Sequence, residues 1–289
     1  MAFKQSLLAF CVALMAFFGA FSATAQEAAE DTAQSAPKEA QGPMLPMIRG
    51  DFRDMRLAVA KAKVTDVIDG VTIEVDGKHK VRLVGVWVPW DSPEDPGDNV
   101  KKAQTLLKKF AMGRMVRLYQ PRKEGVGTQN RLGQILAQVE RDDGLWLQGA
   151  LIYSGLATVM TSPSNPESAS RMYQVEADAR KRKAGLWDDA RWAVLTPEKA
   201  TDFVNEYRIV EGRVFSTAMK NNVFYINFSR DWRTDFTVTI SSDKRLTFAR
   251  EGINLMGLNG KTIRVRGWVR NFNGPMIEIT HPEQIEVVK

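Results

Sequence analysis

Two closely spaced turn signals constrain the fold of this chain more than any other feature. Asp69-Gly70 and Asp76-Gly77 separate three apolar or alternating segments, residues 61–68, 71–75 and 80–88. Asp-Gly pairs flanked by such segments are typical of tight hairpin turns. The pattern therefore predicts a three-strand antiparallel meander, which needs further strands or a helix to cover its apolar face.

The segments after the meander supply those further elements. A helical stripe over residues 99–112 ends at a glycine, and two strands are predicted over 115–120 and 135–140. A short helix runs to Gly155, and another is predicted to start at Asn165-Pro166, a cap residue followed by proline. A meander, a helix, two strands and terminal helices follow the order of a five-stranded OB-fold barrel.

A second strand-rich region follows a linker over residues 191–206. Three strands, a helical or turn segment and two strands again suit a small OB-like β-barrel. We therefore predict an α+β protein, mainly β with helices, with a first barrel domain over 55–190 and a second over 207–289. The predicted elements of the second are strands 209–215, 223–228, 236–240, 262–269 and 276–279, with the helical segment at 246–255.

The N-terminus has the pattern of a targeting segment. Lys4 precedes an apolar run over residues 7–21, and Ala23-Thr24-Ala25 gives a small-x-small cleavage site. We expect a signal peptide over 1–25, cleavage after Ala25, and a periplasmic or secreted protein without a transmembrane segment; an uncleaved anchor is the alternative. Residues 26–54 are rich in Ala, Glu, Gln and Pro, which indicates a flexible tether.

Composition excludes several kinds of site. Cys11 is the only cysteine and lies in the leader, so thiol nucleophiles, thiolate metal sites and disulfides are not expected in the mature protein. The two histidines, His79 and His281, lack zinc-site spacing and are expected at the surface. The net charge of +6 and the pI near 9.4 favour an anionic partner such as nucleic acid, acidic polysaccharide, phospholipid headgroups or an acidic protein.

Four short motifs carry a family resemblance over residues 61–187. Asp69-Gly70-Val71-Thr72 and the run from Arg82-Leu83 to Pro89-Trp90 resemble two signatures of the staphylococcal nuclease (thermonuclease) family. Gly155-Leu156-Ala157 and Ala184-Gly185-Leu186-Trp187 are similar to two further family segments. The resemblance implies a thermonuclease-type OB-fold barrel, and in the family this barrel carries a calcium-dependent nuclease site.

Three positions of that family site hold the wrong side chains here. Val71 and Trp87 occupy the places of the two metal-binding aspartates, and Trp90 occupies the place of the glutamate assigned as general base. Calcium requires oxygen ligands, and an indole cannot accept a proton from an attacking water molecule. We therefore expect no catalytic residue and no cofactor, with calcium needed only if a nuclease activity survives.

Two arginines of the family site remain. Arg82 and Arg131 match the family arginines that grip phosphate oxygens, and they can still hold an anion. With Trp87 and Trp90 they form the predicted ligand-binding set, since exposed tryptophans often anchor a partner. The alternatives are that the arginines form ion pairs or brace loops, and that the two indole rings merely fill the vacated site.

The leading hypothesis is an exported, non-catalytic pseudo-nuclease that binds a partner through this vestigial cleft and the basic second barrel. The partner would be an envelope protein, single-stranded nucleic acid or another polyanion. One alternative is an active metal-dependent phosphodiesterase whose metal site has moved to Asp91, Glu94, Asp95 and Asp98. Another is a structural accessory subunit of a cell-envelope complex.

The nucleic-acid hypothesis draws on the composition of the second barrel. Its cations and aromatic residues are interleaved, as in platforms where rings stack bases and cations follow phosphates. A small barrel with aromatic residues inside and charges outside has the same composition. The residues are Arg230, Arg233, Lys244, Arg245, Lys261, Arg264, Arg266 and Arg270, with Phe224, Tyr225, Phe228, Trp232, Trp268 and Phe272.

Overall fold

The computed structural model of this chain describes residues 46–90, 97–231 and 235–288. The predicted leader, the first part of the predicted tether, and the loop residues Asp91, Glu94 and Asp95 lie outside these ranges. From residue 45 onward the chain forms one compact unit that contains two hydrophobic cores. In the described ranges, no helix is both long and apolar enough to span a bilayer.

The first core is enclosed by a closed barrel of five strands. The pairing order is β1-β2-β3-β6-β5, with β3 and β6 parallel and the other pairs antiparallel. The elements are β1 (Met55–Val67), β2 (Thr72–Val75), β3 (His79–Leu83), β4 (Gly85–Trp87), α1 (Gly97–Ala111), β5 (Met115–Pro121), β6 (Ile135–Arg141), α2 (Leu147–Tyr153), β7 (Thr158–Met160) and α3 (Ala169–Lys181). The predicted α+β fold with a five-stranded barrel is thus confirmed.

Two predicted elements of the first barrel have different bounds. The strand expected over 80–88 is interrupted after Leu83, because Gly85 has a φ of 80° and turns the chain away from the barrel. Its continuation, β4, pairs with β7 instead. The helix expected from Asn165-Pro166 starts only at Ala169, since the buried Asn165 side chain donates a hydrogen bond to the Gly127 carbonyl at 2.8 Å.

The second core has the same strand order as the first. β9, β10, β11, β13, β12 and β8 follow one another in the sheet, and β11 and β13 are the parallel pair. A short strand near the C-terminus, β14, also pairs with β12. The elements are β8 (Tyr207–Arg213), β9 (Ser216–Lys220), β10 (Val223–Asn227), β11 (Thr237–Ser241), α4 (Ser242–Arg250), β12 (Thr262–Asn271), β13 (Pro275–Glu278) and β14 (Ile285–Val287).

A bend in the first strand completes this second ring. The strand expected over 209–215 ends at Arg213, because the chain turns a corner at Val214 and Phe215, and a strand that the sequence did not predict, β9, begins at Ser216. The Val214 amide donates to Lys261 next to β12, and the Phe215 amide donates to Asn227 on β10. β8 and β9 therefore act as one bent strand that pairs with β12 at one end and with β10 at the other, as the first strand of an OB-like barrel does. β14, with buried Ile285, was not anticipated from the sequence.

The packed part of the chain begins before Met55. Ile48 is 7% exposed and belongs to the first core, and its carbonyl accepts a hydrogen bond from the Trp146 amide at 2.8 Å. The Phe52 ring stacks on Tyr119 with centroids 4.2 Å apart. Residues 46–54, which the sequence grouped with the tether, thus cover one side of the first barrel.

Candidate functional site at the barrel junction

Val71 lies in the core of the first barrel. The Asp69-Gly70 turn before it is intact, with the Val71 amide donating to Asp69 Oδ1 at 2.7 Å. The Val71 carbonyl accepts from the Leu83 amide at 2.8 Å, and the side chain is 7% exposed. Val71, where the resemblance implies a metal-binding aspartate, is therefore an apolar packing position.

Trp87, at the end of β4, packs against the second barrel. Its ring centroid lies 5.4 Å from that of Tyr207 and 6.0 Å from those of Trp268 and Trp192. Tyr207 and Trp268 also contact each other at 6.0 Å, and edge-to-face or tilted pairs at these distances are favourable. We call Trp87, Trp192, Tyr207 and Trp268 the aromatic cluster. Trp87 therefore joins the barrels and does not line an open cleft.

Trp90 has a different environment from Trp87. Its side chain is 49% exposed, and the backbone beside it is fixed by Asn99 of α1. The Asn99 side-chain amide donates to the Pro89 carbonyl at 3.3 Å and to the Leu156 carbonyl at 3.0 Å. These bonds hold the exposed indole near the start of α1, where it is accessible to a partner.

Arg82 and Arg131 both lie near the first residues of β6. Arg82 is half-buried on β3, in register with Leu136, and exposed Arg131 lies in the turn that closes at the Gln129–Ile135 bridge. Within the described part of the chain, neither guanidinium has an ion-pair or hydrogen-bond partner. The alternative in which they brace loops through such bonds is not seen, and both can contact an anion.

The residues at the family's metal positions do not fit calcium. The Val71 isopropyl group is in the core and the Trp87 indole is packed among aromatic rings, so neither place offers an oxygen ligand. Asp98, one member of the alternative acidic set, is exposed in the first turn of α1, and the other three members lie outside the described residues. Among the described residues, no group of three or more His, Cys, Asp or Glu side chains is placed to hold a metal ion.

A buried charged cluster, which the sequence analysis missed, joins the barrels beside the aromatic cluster. Glu176 of α3 and Arg266 of β12 are both fully buried, and Arg266 Nη1 lies 3.1 Å from Glu176 Oε2. Arg266 Nη2 also contacts Glu286 of β14 at 2.6 Å, and Arg180 Nη1 contacts Glu176 Oε2 at 2.8 Å. We call Glu176, Arg180, Arg266 and Glu286 the junction cluster.

The junction cluster fixes the charge of Glu176. Burial alone would raise the pKa of this carboxyl, but the Arg266 and Arg180 guanidiniums, with hydrogen bonds from the Val159 amide and the Thr158 hydroxyl, hold the pKa below its usual range. The pKa of Arg266 is raised, because burial is outweighed by Glu176 and other neighbours. Burial lowers the pKa of Arg180. Both guanidiniums lower the pKa of Glu176, and Arg266 lowers it more than Arg180 does.

A cavity of about 240 Å³ lies at the same junction. His281 contributes to its wall and is 4% exposed, so the expectation of a surface histidine was wrong. The ring is held by the Thr161 hydroxyl, 2.8 Å from Nε2, and burial lowers the pKa of His281 to about 4. The other lining residues include Met160, Pro163, Tyr207, Trp268 and Arg270.

The sequence held partial signals of this junction. Glu176 lies between Met172, Val175 and Ala179, a carboxylate within an apolar helical stripe, which requires a buried partner. Arg266 follows buried Val265 and so points to the opposite face of β12, toward α3. Nothing in the spacing of either residue identifies the other as its partner.

The fold defines an α+β protein built on an OB-type barrel, with a second barrel fixed to the first by aromatic and ionic contacts. Residues 80–189 match the model of the family described as staphylococcal nuclease homologue. The chain therefore contains a staphylococcal nuclease-like domain, and the resemblance inferred from the motifs is confirmed. The match starts at Lys80, after the Asp69-Gly70-Val71-Thr72 motif. No curated protein matches the chain.

Proposed function

We propose that this protein is a non-catalytic member of the nuclease-like class that binds a protein partner and does not cleave phosphodiesters. The observation that carries the proposal is the position of Trp87 in the aromatic cluster. A nuclease of this kind needs a hydrated cation at that place, held by carboxylates. Here the place is filled by a half-buried indole packed against Tyr207 and Trp268, and it holds no carboxylate that could bind a cation.

The charges of the second barrel favour a protein partner over nucleic acid. Arg264 and Arg266 are engaged by buried or half-buried carboxylates, and Arg270 and Lys244 also have acidic neighbours. Cations that are already paired contribute little to the phosphate contacts on which nucleic-acid affinity depends. Of the predicted stacking residues, Phe224 is buried in the second core, and Trp232 lies outside the described residues.

Export and membership of an envelope assembly remain part of the proposal. The support for export is the leader pattern over residues 1–25. The rigid junction between the barrels suits a scaffold that presents one fixed surface to a partner. A structural subunit should co-purify with a stoichiometric partner at moderate salt, whereas binding to a polyanion should weaken steeply as salt is raised.

A nuclease assay with matched variants tests the proposal. Purified mature protein is incubated with single-stranded DNA and RNA, with and without calcium, and no cleavage is expected. The Trp87→Asp variant, which places the family carboxylate among aromatic rings, should be destabilised by about 3 kcal/mol in urea unfolding and should still be inactive. Trp90→Glu, at an exposed position, should change stability by less than about 1 kcal/mol.

Cleavage of DNA or RNA in this assay would contradict the proposal. Calcium-dependent cleavage by the unmodified protein that disappears in Arg131→Ala would show that the enzyme alternative is correct. Cleavage that persists in that variant would indicate a contaminating nuclease, which a second purification step would remove.

A further inference from the structure

Helix α1 has one face in the first core and an opposite face rich in lysine. Ala103, Leu107 and Ala111 are buried, whereas Lys102 and Lys109 are exposed. A surface helix with this pattern packs through its apolar stripe and presents its charged side to solvent. The helix therefore offers a basic surface in a fixed position on the barrel.

A groove of about 570 Å³ runs along this surface. Lys102, Leu106 and Lys109 line it from α1 at positions i, i+4 and i+7, which fall on one side of a helix. The opposite wall is the chain after α2, with Ser154 and Leu156. The groove thus has leucines on both walls, Leu106 and Leu156, and lysines on its α1 side.

Exposed Trp90 follows Pro89, whose carbonyl accepts a hydrogen bond from Asn99 of α1. Asn99 binds the Pro89 and Leu156 carbonyls at once, so the residue before Trp90 and one wall of the groove share a single hydrogen-bonding side chain. Exposed indoles are typical of the anchor regions of protein interfaces.

Two of the lysines that line the groove, Lys102 and Lys109, are exposed. Within the described ranges, neither of these two forms an ion pair, and the Lys109 ammonium lies 5.8 Å from the Phe110 ring centroid. Among the described residues that line the groove, Asp98 in the first turn of α1 is the one acidic side chain. Uncompensated cations beside apolar surface attract a partner with carboxylates and apolar side chains.

We propose that this groove binds an acidic segment of a protein partner, with apolar side chains on Leu106 and Leu156 and carboxylates at Lys102 and Lys109. The two lysines are separated by about 10 Å along the helix axis, since seven residues rise by 1.5 Å each. Carboxylates about three residues apart in an extended peptide, or seven apart in a helix, match this separation.

The inference rests on the proposed function in taking the partner to be a protein. The probe is a fluorescein-labelled peptide of alternating glutamate and leucine with a C-terminal phenylalanine, titrated with the full mature protein by fluorescence anisotropy. The double variant Lys102→Glu, Lys109→Glu should weaken binding by at least about tenfold. Lys78→Glu with Lys80→Glu, the same change of charge at the exposed turn after β2 and the exposed start of β3, should weaken it by less than about threefold.

Two outcomes would overturn the inference. One is an equal loss of affinity in both double variants, which would mean that net charge alone attracts the peptide. The other is that the protein does not bind the peptide but does bind anionic phosphatidylglycerol vesicles, and that this binding requires Lys102 and Lys109. That result would assign the surface to membranes. Circular dichroism establishes that each variant is folded. If the protein shows no nuclease activity but fails this test, the groove inference is wrong and the proposed function stands. Nuclease activity would instead contradict the proposed function, and with it the ground for a protein partner.

Discussion

Glu176 and Arg266 show how single residues hold the two barrels together. Each is fully buried, and desolvation costs several kcal/mol per ion. Within its own barrel each has one close partner, Arg180 for Glu176 and Glu286 for Arg266. Contact of α3 with β12 adds the pair across the junction at 3.1 Å, so a shifted contact would leave both buried charges with fewer partners.

Removing one member of this pair should be strongly destabilising. We expect Arg266→Met to reduce the free energy of unfolding by about 3–5 kcal/mol. In this variant the buried Glu176 carboxylate keeps Arg180 as its one ionic partner. The matched control is Arg270→Met, since Arg270 and Glu278 are exposed and 3.7 Å apart. That change should cost less than about 1 kcal/mol in urea unfolding. Equal losses in both variants would contradict the role assigned to the junction cluster.

At the scale of elements, Gly155 after α2 and Gly185 after α3 allow the two segments that contain them to pack against each other. Gly155 has a φ of 67°, and the Leu186 amide donates to its carbonyl at 2.8 Å. A Cβ atom on Gly155 would lie 1.8 Å from the Ala184 carbonyl oxygen. The two family segments around Gly155 and Gly185 are thus in direct backbone contact, which explains why both contain glycine.

Alanine at Gly155 should therefore cost more than backbone strain. Gly113 is the matched control, because its φ of 72° is similar and a Cβ atom there would meet nothing within 4 Å. We expect Gly113→Ala to cost about 1 kcal/mol from the left-handed conformation alone, and Gly155→Ala at least about 2 kcal/mol more from the clash. Thermal unfolding monitored by circular dichroism gives both values. Similar losses would mean that the backbones can move apart.

Elements set by local chemistry were predictable from the sequence, and those set by distant contacts were not. The Asp69-Gly70 and Asp76-Gly77 turns placed the meander because the turn residues themselves fix the backbone. The break after Leu83 depends on Gly85 packing against Met172 of α3, and the late start of α3 depends on Asn165 binding Gly127. Neither partner is near in sequence. Likewise, the substitutions at Val71 and Trp87 could be read directly, but the aromatic cluster that surrounds Trp87 could not.

At the scale of the whole molecule, the junction makes both barrels one stability unit. The aromatic cluster, the junction cluster and the His281–Thr161 bond all join residues of the first barrel to residues of the second. Loss of either core would expose these buried groups to water, so we expect probes in both barrels to report a single unfolding transition. The groove along α1 therefore persists only while both barrels remain folded.

The pH dependence of that unit provides the sharpest test. His281 is buried beside Thr161, Thr280 and the Arg270–Glu278 pair, and burial lowers its pKa from about 6.5 to about 4. The unfolded chain therefore takes up this proton first, and the free energy of unfolding should fall as pH decreases from about 6.5 to about 4. The loss between about pH 7 and about pH 5 should be on the order of 2 kcal/mol. Because the pKa of Glu176 lies below its usual range, its stabilisation is lost only at lower pH, below about 4.3.

Variants of the two histidines isolate this effect. His281→Gln should be less stable than the unmodified protein near neutral pH but should lose much less stability between about pH 6.5 and about pH 5, because the imidazole with the lowered pKa is gone. His79→Gln, at the exposed first residue of β3, should keep the original profile. Urea unfolding followed by amide hydrogen exchange at β6 and at β11 would report both barrels separately. A pH-dependent loss confined to the second barrel would show that the junction does not couple them, because a shared unit must lose the same free energy at both sites.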